Sequence, residues 1–146
     1  MSHALKFSVA SQSDSPTKSS INVRGFQFFV DAPQAFSGGN KAPTPFEYVL
    51  AGYAGCIKVL AHITAQEYNI ELSNLAINVS GDLDTDKLLG RSTTERAGYR
   101  TIYVHIKTST EIAPALKSKW LKSIQTRCPV SDNLANQTPI IFHLSN

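Results

Sequence analysis

The most constraining feature of the sequence is a long helix with almost no polar face. It is predicted to begin in Thr44-Pro45-Phe46-Glu47, where the threonine can cap, the proline suits the first helical position and the glutamate completes a capping box. It should run to about Tyr68, where Asn69 can close it. Its apolar residues lie on nearly every side: Val49, Leu50, Ala51, Tyr53, Ala54, Ile57, Val59 and Leu60. A helix of this kind is buried on most sides, so the remaining elements have to surround it.

Two glycines interrupt this helix, at Gly52 and Gly55. Each costs about 1 kcal/mol relative to alanine inside a helix. Glycine at these positions is explained if another element packs very close to the helix backbone. We therefore expect a close contact along this side.

The residues before the helix alternate as in half-buried strands. Apolar side chains recur at every second position, separated by a turn over 12–18 and by Gly25: Leu5, Phe7, Val9, Ile21, Val23, Phe26, Phe28 and Val30. These strands predict a small three-stranded antiparallel sheet. The segment 31–43, which holds two prolines and two glycines, is predicted to be a loop.

The residues after the helix predict a strand pair, a second helix and a last strand. Alternation over 75–79 and 99–106 indicates two antiparallel strands, joined by a long polar connection over 81–98. The second helix should begin near Pro114 and end at Arg127, because Pro129 biases Cys128 away from helical dihedrals. A short final strand is predicted over 139–144. Together these elements place the chain in the α+β class.

Composition narrows the classes of function. The 146 residues suit one domain, and 42% hydrophobic with 17% charged residues is ordinary for a folded soluble protein. The net charge of +3 is spread along the chain, which argues against a nucleic-acid partner. The longest weakly charged stretch, 49–61, is short for a membrane span and contains Lys58. No export signal stands at the start, so we expect a cytoplasmic protein.

The two cysteines lie in different settings. Cys56 is in the middle of the apolar helix, where a thiol can pack as a small hydrophobe and where burial raises its pKa. Cys128 lies between a helix end and a helical turn opened by Pro129, with Arg127 beside it, so local physics gives Cys128 the lower pKa. Two cysteines cannot form a secreted disulfide scaffold, but they can form a redox pair or remain buried packing residues.

Other site chemistries have weaker support. The four histidines lack the short spacings of zinc sites: His3, His62, His105 and His143. The segment Gly38-Gly39-Asn40-Lys41 invites comparison with a phosphate-binding loop, but it lacks the outer glycine and the Ser or Thr after the lysine. We therefore expect neither a metal nor a cofactor.

The cysteine motifs resemble those of a known family. The helix segment from Pro45 to Cys56, Pro-Phe-Glu-Tyr-Val-Leu-Ala-Gly-Tyr-Ala-Gly-Cys, is followed much later by Cys128-Pro129-Val130-Ser131. In order, spacing and helical context the two motifs resemble the OsmC/Ohr family, the osmotically inducible and organic-hydroperoxide-resistance proteins of bacteria. The loop 38–41 matches as well, and the resemblance extends from about Gly25 to the C terminus.

The resemblance implies a single domain over residues 1–146. Its parts are N-terminal strands and a loop (1–43), the first cysteine helix (44–69), a strand pair with a polar connection (70–110), and the second helix with the Cys128 motif and a last strand (111–146). The family fold has two long helices, each carrying a cysteine, packed against curved antiparallel sheets. It forms an intertwined homodimer, which implies that the apolar helix is buried in a dimer core.

The resemblance also implies a thiol peroxidase. Its reactive cysteine corresponds to Cys56 and its resolving cysteine to Cys128, with organic hydroperoxides as substrates and a dithiol, such as a lipoylated protein, as reductant. In the peroxidase branches an arginine from the N-terminal hairpin stabilises the thiolate, and Arg24 is the candidate here, with Lys18 in reserve. The family glutamate that holds this arginine aligns with Phe46, and Glu47 follows it, so Glu47 is either a site residue or only a capping residue.

Two further functions compete with the peroxidase. A non-catalytic OsmC-like dimer could bind a small apolar or thiol-containing ligand, an interpretation that the displaced glutamate favours. A partner-binding scaffold without a redox role is the third, and it leaves the paired cysteine motifs unexplained.

Overall fold

The structure is a computed structural model that describes residues 3–91 and 94–146. Within these ranges the fold is α+β, with antiparallel strands and three α-helices. The elements are β1 (Ala10–Ser13), β2 (Ser19–Val23), β3 (Phe26–Val30), α1 (Pro45–Glu67), β4 (Ala76–Leu83), β5 (Tyr99–Lys107), α2 (Pro114–Arg127) and α3 (Pro129–Ala135). The chain forms two compact units, the first ending at Val49 and the second covering Leu50–Asn146.

The first unit contains a three-stranded sheet in the order β1-β2-β3, both pairs antiparallel. Val23 pairs with Phe26, so only Arg24 and Gly25 connect β2 to β3. Both have positive φ, 48° and 86°, as in the tight hairpin turn whose twist matches that of its strands. The predicted three-stranded sheet is confirmed.

The first strand is shifted from its predicted position. Leu5, Phe7 and Val9 alternate as predicted, but they lie outside any strand and are 79%, 81% and 67% exposed. The reason is the length of β2: Ala10 already pairs with Asn22, and β2 ends one residue later, so residues 3–9 extend beyond the strand that they would pair with. Alternation alone was insufficient to place the strand.

The second unit has one hydrophobic core, shared by α1, α2 and the β4–β5 hairpin. The buried members are Tyr53, Ile57, Ala61, Ala65, Ile70, Trp120, Ile124 and Cys128, with alternate apolar residues of β4 and β5 packed against them. Trp120 is 2% exposed and donates its indole N–H to the carbonyl of Ala61 at 3.1 Å. The connection between β4 and β5 runs over 84–98, and its residues 92 and 93 lie outside the described part of the chain.

Helix α1 begins and ends where the sequence predicts. Thr44 and Glu47 form the capping box, and Asn69, with φ 54°, follows the helix end. Within this single chain, one face of α1 carries the buried residues and the opposite face is exposed, so the chain by itself does not bury the helix on most sides. No described residue lies within 4 Å of a Cβ built at Gly52 or Gly55, so the close contact expected there is not made within this chain.

The full length of α1 also changes the membrane argument. Its 23 residues are long and apolar enough to cross a bilayer, which the shorter stretch 49–61 did not indicate. In this chain, however, the buried face of α1 forms the centre of the second unit's core. The core helix of a soluble protein passes the same test of length and composition.

Two other predictions near the C terminus are corrected. Residues 139–144 form no strand, and Ile140, Ile141 and Phe142 are 78%, 77% and 92% exposed. Cys128 does not lie within a long helix but between α2 and α3, in an extended conformation with φ −79° and ψ 114°. The cause is Pro129, which disfavours helical dihedrals at the preceding residue.

Candidate functional site

Cys56 lies in the middle of α1, at the border between its buried and exposed faces. It is half-buried, and the neighbouring Tyr53 and Ile57 belong to the core. Gly52, Val59 and Ile63 follow the same side of the helix and are exposed. The Cys56 sulfur thus lies next to an uncovered apolar stripe.

Cys128 caps the short helix α3. The residue is 1% exposed, and its sulfur accepts a hydrogen bond from the backbone N–H of Ser131 at 3.3 Å. Pro129 occupies the first position of α3, where its missing N–H costs nothing. The extended backbone at Cys128 therefore directs the side chain back over the first turn of α3.

The structure brings the two thiols into contact. The Sγ atoms of Cys56 and Cys128 lie 2.9 Å apart, with the Cys128 thiol donating to the Cys56 sulfur, and both cysteines are free. A disulfide has an S–S length of about 2.05 Å. A movement of roughly 1 Å therefore converts this contact into a covalent bond.

The surroundings of Cys56 favour the neutral thiol. Burial raises the pKa of Cys56, and the adjacent Cys128 thiol raises it further, while the backbone N–H of Val130 lowers it. None of these contributing groups is a cation. A thiolate at neutral pH requires a positive charge that these groups do not supply.

A tyrosine and a serine complete the surroundings of the two sulfurs. The hydroxyl of Tyr53 lies 3.0 Å from Oγ of Ser131, the residue whose N–H contacts Cys128. Sequence analysis missed both residues. The available signal was their spacing, because Tyr53 lies three residues before Cys56 on a helix and Ser131 three residues after Cys128.

Arg24 and Lys18, the candidate cations, lie in the first unit. Arg24 is in the β2–β3 turn, and its guanidinium lies 5.5 Å from the centre of the Phe26 ring. Lys18 forms an ion pair with Asp14 at 3.3 Å and lies 4.4 Å from the centre of the Phe29 ring. Both cations therefore rest on aromatic faces of their own unit, an arrangement that stabilises a positive charge modestly.

Glu47 also belongs to the first unit, where it caps α1. Its carboxylate accepts the backbone N–H of Thr44 at 2.7 Å, and its own N–H donates to the Thr44 hydroxyl at 3.2 Å. The backbone N–H of Thr44 is the main cause of the lowered pKa of Glu47, and the Thr44 side chain lowers it further. Of the two roles open to Glu47, the contacts within the first unit show the capping role.

The glycine-containing loop before α1 binds a carboxylate of its own chain. Asp31 is 2% exposed and accepts backbone N–H groups from Ala32 at 2.8 Å and Lys41 at 3.0 Å. The Lys41 N–H is the main cause of the lowered pKa of Asp31, and the N–H of Gly39 contributes too. Amides that a phosphate-binding loop would offer to a ligand are thus already used by Asp31.

A cavity with mostly apolar lining residues shares Tyr53 and Ile57 with the part of α1 that carries Cys56, although neither cysteine lines it. It measures about 500 Å³, and Tyr53, Ile57 and Ile124 form part of its wall. The other lining residues come from β5 and α2: Ile102, Val104, His105, Ile106, Leu121 and Gln125. Among residues 3–91 and 94–146, no three His, Cys, Asp or Glu side chains cluster as a metal site would require.

Comparison of the sequence with protein families gives one clear match. The family described as OsmC-like protein matches residues 38–143, which include both cysteines. A comparison with curated protein sequences finds no significant match.

Several solved structures share the fold. An OsmC-like protein from Mycoplasma pneumoniae matches with a TM-score of 0.78 at 21% identity, covering 91% of this chain and 89% of that chain. An organic hydroperoxide resistance protein OsmC from Legionella pneumophila matches with a TM-score of 0.68 at 14% identity, covering 91% of both chains. A putative organic hydroperoxide resistance protein from Vibrio cholerae, with captopril bound in one of its active sites, matches with a TM-score of 0.64 at 15% identity, covering 92% of this chain and 87% of that chain.

Proposed function

Because this chain belongs to the OsmC-like protein family, we propose that it is a thiol peroxidase that reduces organic hydroperoxides to alcohols. In this proposal Cys56 is the attacking residue and Cys128 the resolving residue, and the protein serves in defence against oxidative stress. Some of the structural neighbours are described as organic hydroperoxide resistance proteins. Their sequence identities are low, so the proposal depends on the chemistry of this chain's own residues.

The observation that carries the proposal is the 2.9 Å separation of the two sulfurs. Their residues are far apart in the sequence, yet both thiols are free and adjacent. A resolving thiol in contact with the attacking sulfur prevents further oxidation of that sulfur.

The reaction balances with a dithiol as the reductant. The Cys56 thiolate attacks the terminal oxygen of R–O–O–H, the O–O bond breaks, and the alkoxide takes up a proton to leave R–OH and Cys56–S–OH. The Cys128 thiol then condenses with this sulfenic acid, forming the disulfide and releasing water. An external dithiol, such as a lipoylated protein, reduces the disulfide and becomes a disulfide itself.

The apolar cavity supports an organic substrate. Its wall includes Tyr53, three residues before Cys56 on α1, and Ile57, the residue directly after Cys56. Burial of an alkyl or aryl tail contributes about 25 cal/mol per Å² of apolar surface. Hydrogen peroxide has no such tail, so an organic hydroperoxide is the favoured substrate class.

The raised pKa of Cys56 makes a cation the missing component of the proposal. Arg24 remains our candidate, with Glu47 as its proposed support. Replacing Arg24 with Lys, which keeps the charge, should retain more activity than Arg24→Gln. The pKa of Cys56, followed by alkylation across pH, should rise in R24Q; an unchanged pKa would remove Arg24 from the site.

We also propose a homodimer, because this chain leaves apolar surface uncovered. Val59 and Ile63 on the open face of α1 are 58% and 42% exposed, and the terminal apolar segments 5–9 and 140–144 are exposed as well. Gly52→Ala and Gly55→Ala meet no described neighbour within this chain, so they should weaken only a close contact with a second copy. Sedimentation equilibrium should show a dimer that these substitutions loosen; a monomer at all concentrations would contradict the proposal.

The test of the peroxidase is hydroperoxide consumption. Cumene hydroperoxide and tert-butyl hydroperoxide should be consumed with a dithiol reductant, and Cys56→Ser should abolish turnover. Cys128→Ser should lose activity within a few cycles, because Cys56 is oxidised to sulfinic acid without its partner. If both variants retain the turnover of the unmodified protein, the mechanism is wrong.

The raised pKa of Cys56 also supports a second candidate function, a non-catalytic dimer that binds a small apolar or thiol-containing ligand. The same alkylation titration separates the two functions. A pKa well below the free value of about 8.5 in the assembled protein favours catalysis, and one at or above that value favours binding. For either function we propose a cytoplasmic location, where thiols stay reduced.

A further inference from the structure

We propose that Tyr53 and Ser131 are positioning residues for the step in which the Cys128 sulfur closes on the Cys56 sulfur. The inference rests on the proposed function in one respect, since it takes this closure to be part of a catalytic cycle. The hydroxyls of Tyr53 and Ser131 contact each other and not the sulfurs that form the bond. Each acts by holding α1, which carries Cys56, and the start of α3, which follows Cys128, at a fixed position relative to each other.

The contacts run in sequence from one segment to the other. Tyr53 lies on α1 next to Cys56 and is 9% exposed, so its hydroxyl needs a partner inside the protein. That partner is Oγ of Ser131 at 3.0 Å, and the backbone N–H of Ser131 contacts the Cys128 sulfur at 3.3 Å. A single residue of α3 therefore connects the Cys56 helix with the Cys128 side chain.

The first turn of α3 contacts the Cys128 sulfur, which in turn contacts the Cys56 sulfur. The N–H of Ser131 donates to the Cys128 sulfur at 3.3 Å, and that sulfur lies 2.9 Å from the sulfur of Cys56. Both contacts require α3 to stay at a fixed position against α1. The extended residue Cys128 interrupts the helix between α2 and α3, so the helical hydrogen bonds of α2 do not fix α3.

The Tyr53–Ser131 hydrogen bond supplies that fixation. In the step concerned, Cys56–S–OH and the Cys128 thiol form an S–S bond and release water, and the sulfurs must close from 2.9 Å to bonding distance. Small displacements of reacting atoms cost large factors in rate and equilibrium. Loss of the hydroxyl should therefore loosen the pair while leaving the Tyr53 ring packed in the core.

The chain offers a matched control for this hydrogen bond. The hydroxyl of Tyr68, at the end of α1, lies 2.9 Å from Oγ of Ser123 on α2. It is the same kind of tyrosine–serine contact, but it is made away from the cysteines. Tyr68→Phe thus reports the general cost of losing one such bond.

The experiment measures the equilibrium between the Cys56–Cys128 disulfide and glutathione in the full-length protein. Tyr53→Phe and Ser131→Ala should each lower the effective concentration of the two thiols about 3- to 10-fold, and the double variant should be no worse than either single variant. Ser131→Thr, which keeps the hydroxyl, should restore the equilibrium. Tyr68→Phe should leave it within about twofold of the unmodified protein.

The outcomes separate a positioning role from a structural one. If Tyr53→Phe and Tyr68→Phe shift the equilibrium equally, or if the Tyr53 and Ser131 effects add, the inference is wrong. Urea unfolding of each variant checks folding, and the half-buried Ser131 provides a test should Tyr53→Phe fold poorly.

The measurement needs no hydroperoxide, so it does not depend on the peroxidase assay. If the unmodified protein consumes no hydroperoxide, the proposed function fails, while the glutathione equilibrium still decides the roles of Tyr53 and Ser131. If the protein is a peroxidase, Tyr53→Phe should also accumulate sulfinic acid at Cys56 in fewer turnovers than Tyr68→Phe, as read by intact mass.

Discussion

Asp31 in the first unit and Cys56 in the second are both acids whose pKa values are influenced by backbone N–H groups, yet the two pKa values shift in opposite directions. Asp31 accepts N–H groups from Lys41 and Ala32, with a further contribution from Gly39, and its pKa is lowered. Cys56 is influenced by one N–H, that of Val130, and its pKa is raised because burial outweighs that single donor.

The difference shows that the number of donors, weighed against burial, decides which form of an acid a site holds. The loop before α1 surrounds a negative charge, whereas the contact between α1 and α3 brings two sulfurs together where burial favours the neutral thiol of Cys56. Peroxidase chemistry at Cys56 therefore depends on an added positive charge. The following predictions test this contrast.

The largest effect is expected from Gly38→Ala, which disrupts the loop around Asp31. A Cβ at Gly38 would collide with the carbonyl group of Ala32, so the loop must move and its donors leave the carboxylate. We expect a loss of about 3 kcal/mol in the free energy of unfolding, measured with urea. In the control Gly98→Ala, a Cβ meets only the Arg96 side chain at 3.9 Å, so stability should hardly change; equal losses in both variants would contradict the collision.

A smaller effect is expected at Glu47, an exposed acid with a single backbone donor. Its pKa is lowered first by the backbone N–H of Thr44 and then by the Thr44 side chain, which together outweigh the small effect of burial. Thr44→Ala removes the hydroxyl half of the capping box and should cost about 1 kcal/mol in urea unfolding. Glu47→Gln keeps an acceptor and should cost less; the reverse order would show that the carboxylate charge, and not the hydrogen bond, stabilises the start of α1.

At acid pH, the lowered pKa of Asp31 should be visible in how steeply the free energy of unfolding falls with pH. The pKa of Asp31 in the folded chain lies below its ordinary value of 3.8, so Asp31 contributes stability that is present above pH 3.8 and is lost as the pH falls through the lowered value. Asp31→Asn cannot titrate, so its unfolding free energy should fall less steeply below pH 4 than that of the unmodified protein. Identical slopes would place the acid sensitivity in other carboxylates.

The smallest effect is expected from Cys56 at alkaline pH, where stability is lost as the pH rises and not, as for Asp31, as the pH falls. The pKa of Cys56 in the folded chain is raised above its ordinary value, so its contribution is complete below about pH 8.5 and is lost as the pH rises through the raised value. Cys56→Ser should flatten this alkaline decline in urea unfolding under reducing conditions. If the unfolding free energies of Cys56→Ser and the unmodified protein fall equally steeply at alkaline pH, burial of the thiol does not cause the decline.

Local signals in the sequence predicted α1 and the strand pairs well. The threonine cap, the proline and the glutamate act within one helical turn, so the start of α1 follows from a few adjacent residues. The end of α2 was predictable for the same reason, because Pro129 constrains Cys128 directly. Such features need no knowledge of distant residues.

Features that depend on partners far along the chain were not predictable from pattern alone. The alternating residues before Ala10 and after Pro139 read as strands, but a strand forms only where another is available to pair. The contact between the Cys56 and Cys128 sulfurs was suggested by a family resemblance and not by spacing. The Tyr53–Ser131 bond could not be foreseen because it depends on how α3 folds back on α1.

The position of Trp120 gives the second unit an optical reporter of its own. It is the one tryptophan of the chain, and its indole ring is enclosed between α1 and α2 with its N–H held by Ala61. Intrinsic fluorescence therefore follows hydration of the second unit's core and is silent about the three-stranded sheet. Recording tryptophan emission and circular dichroism in one thermal melt would reveal whether the two units unfold together or one after the other, without attaching any dye.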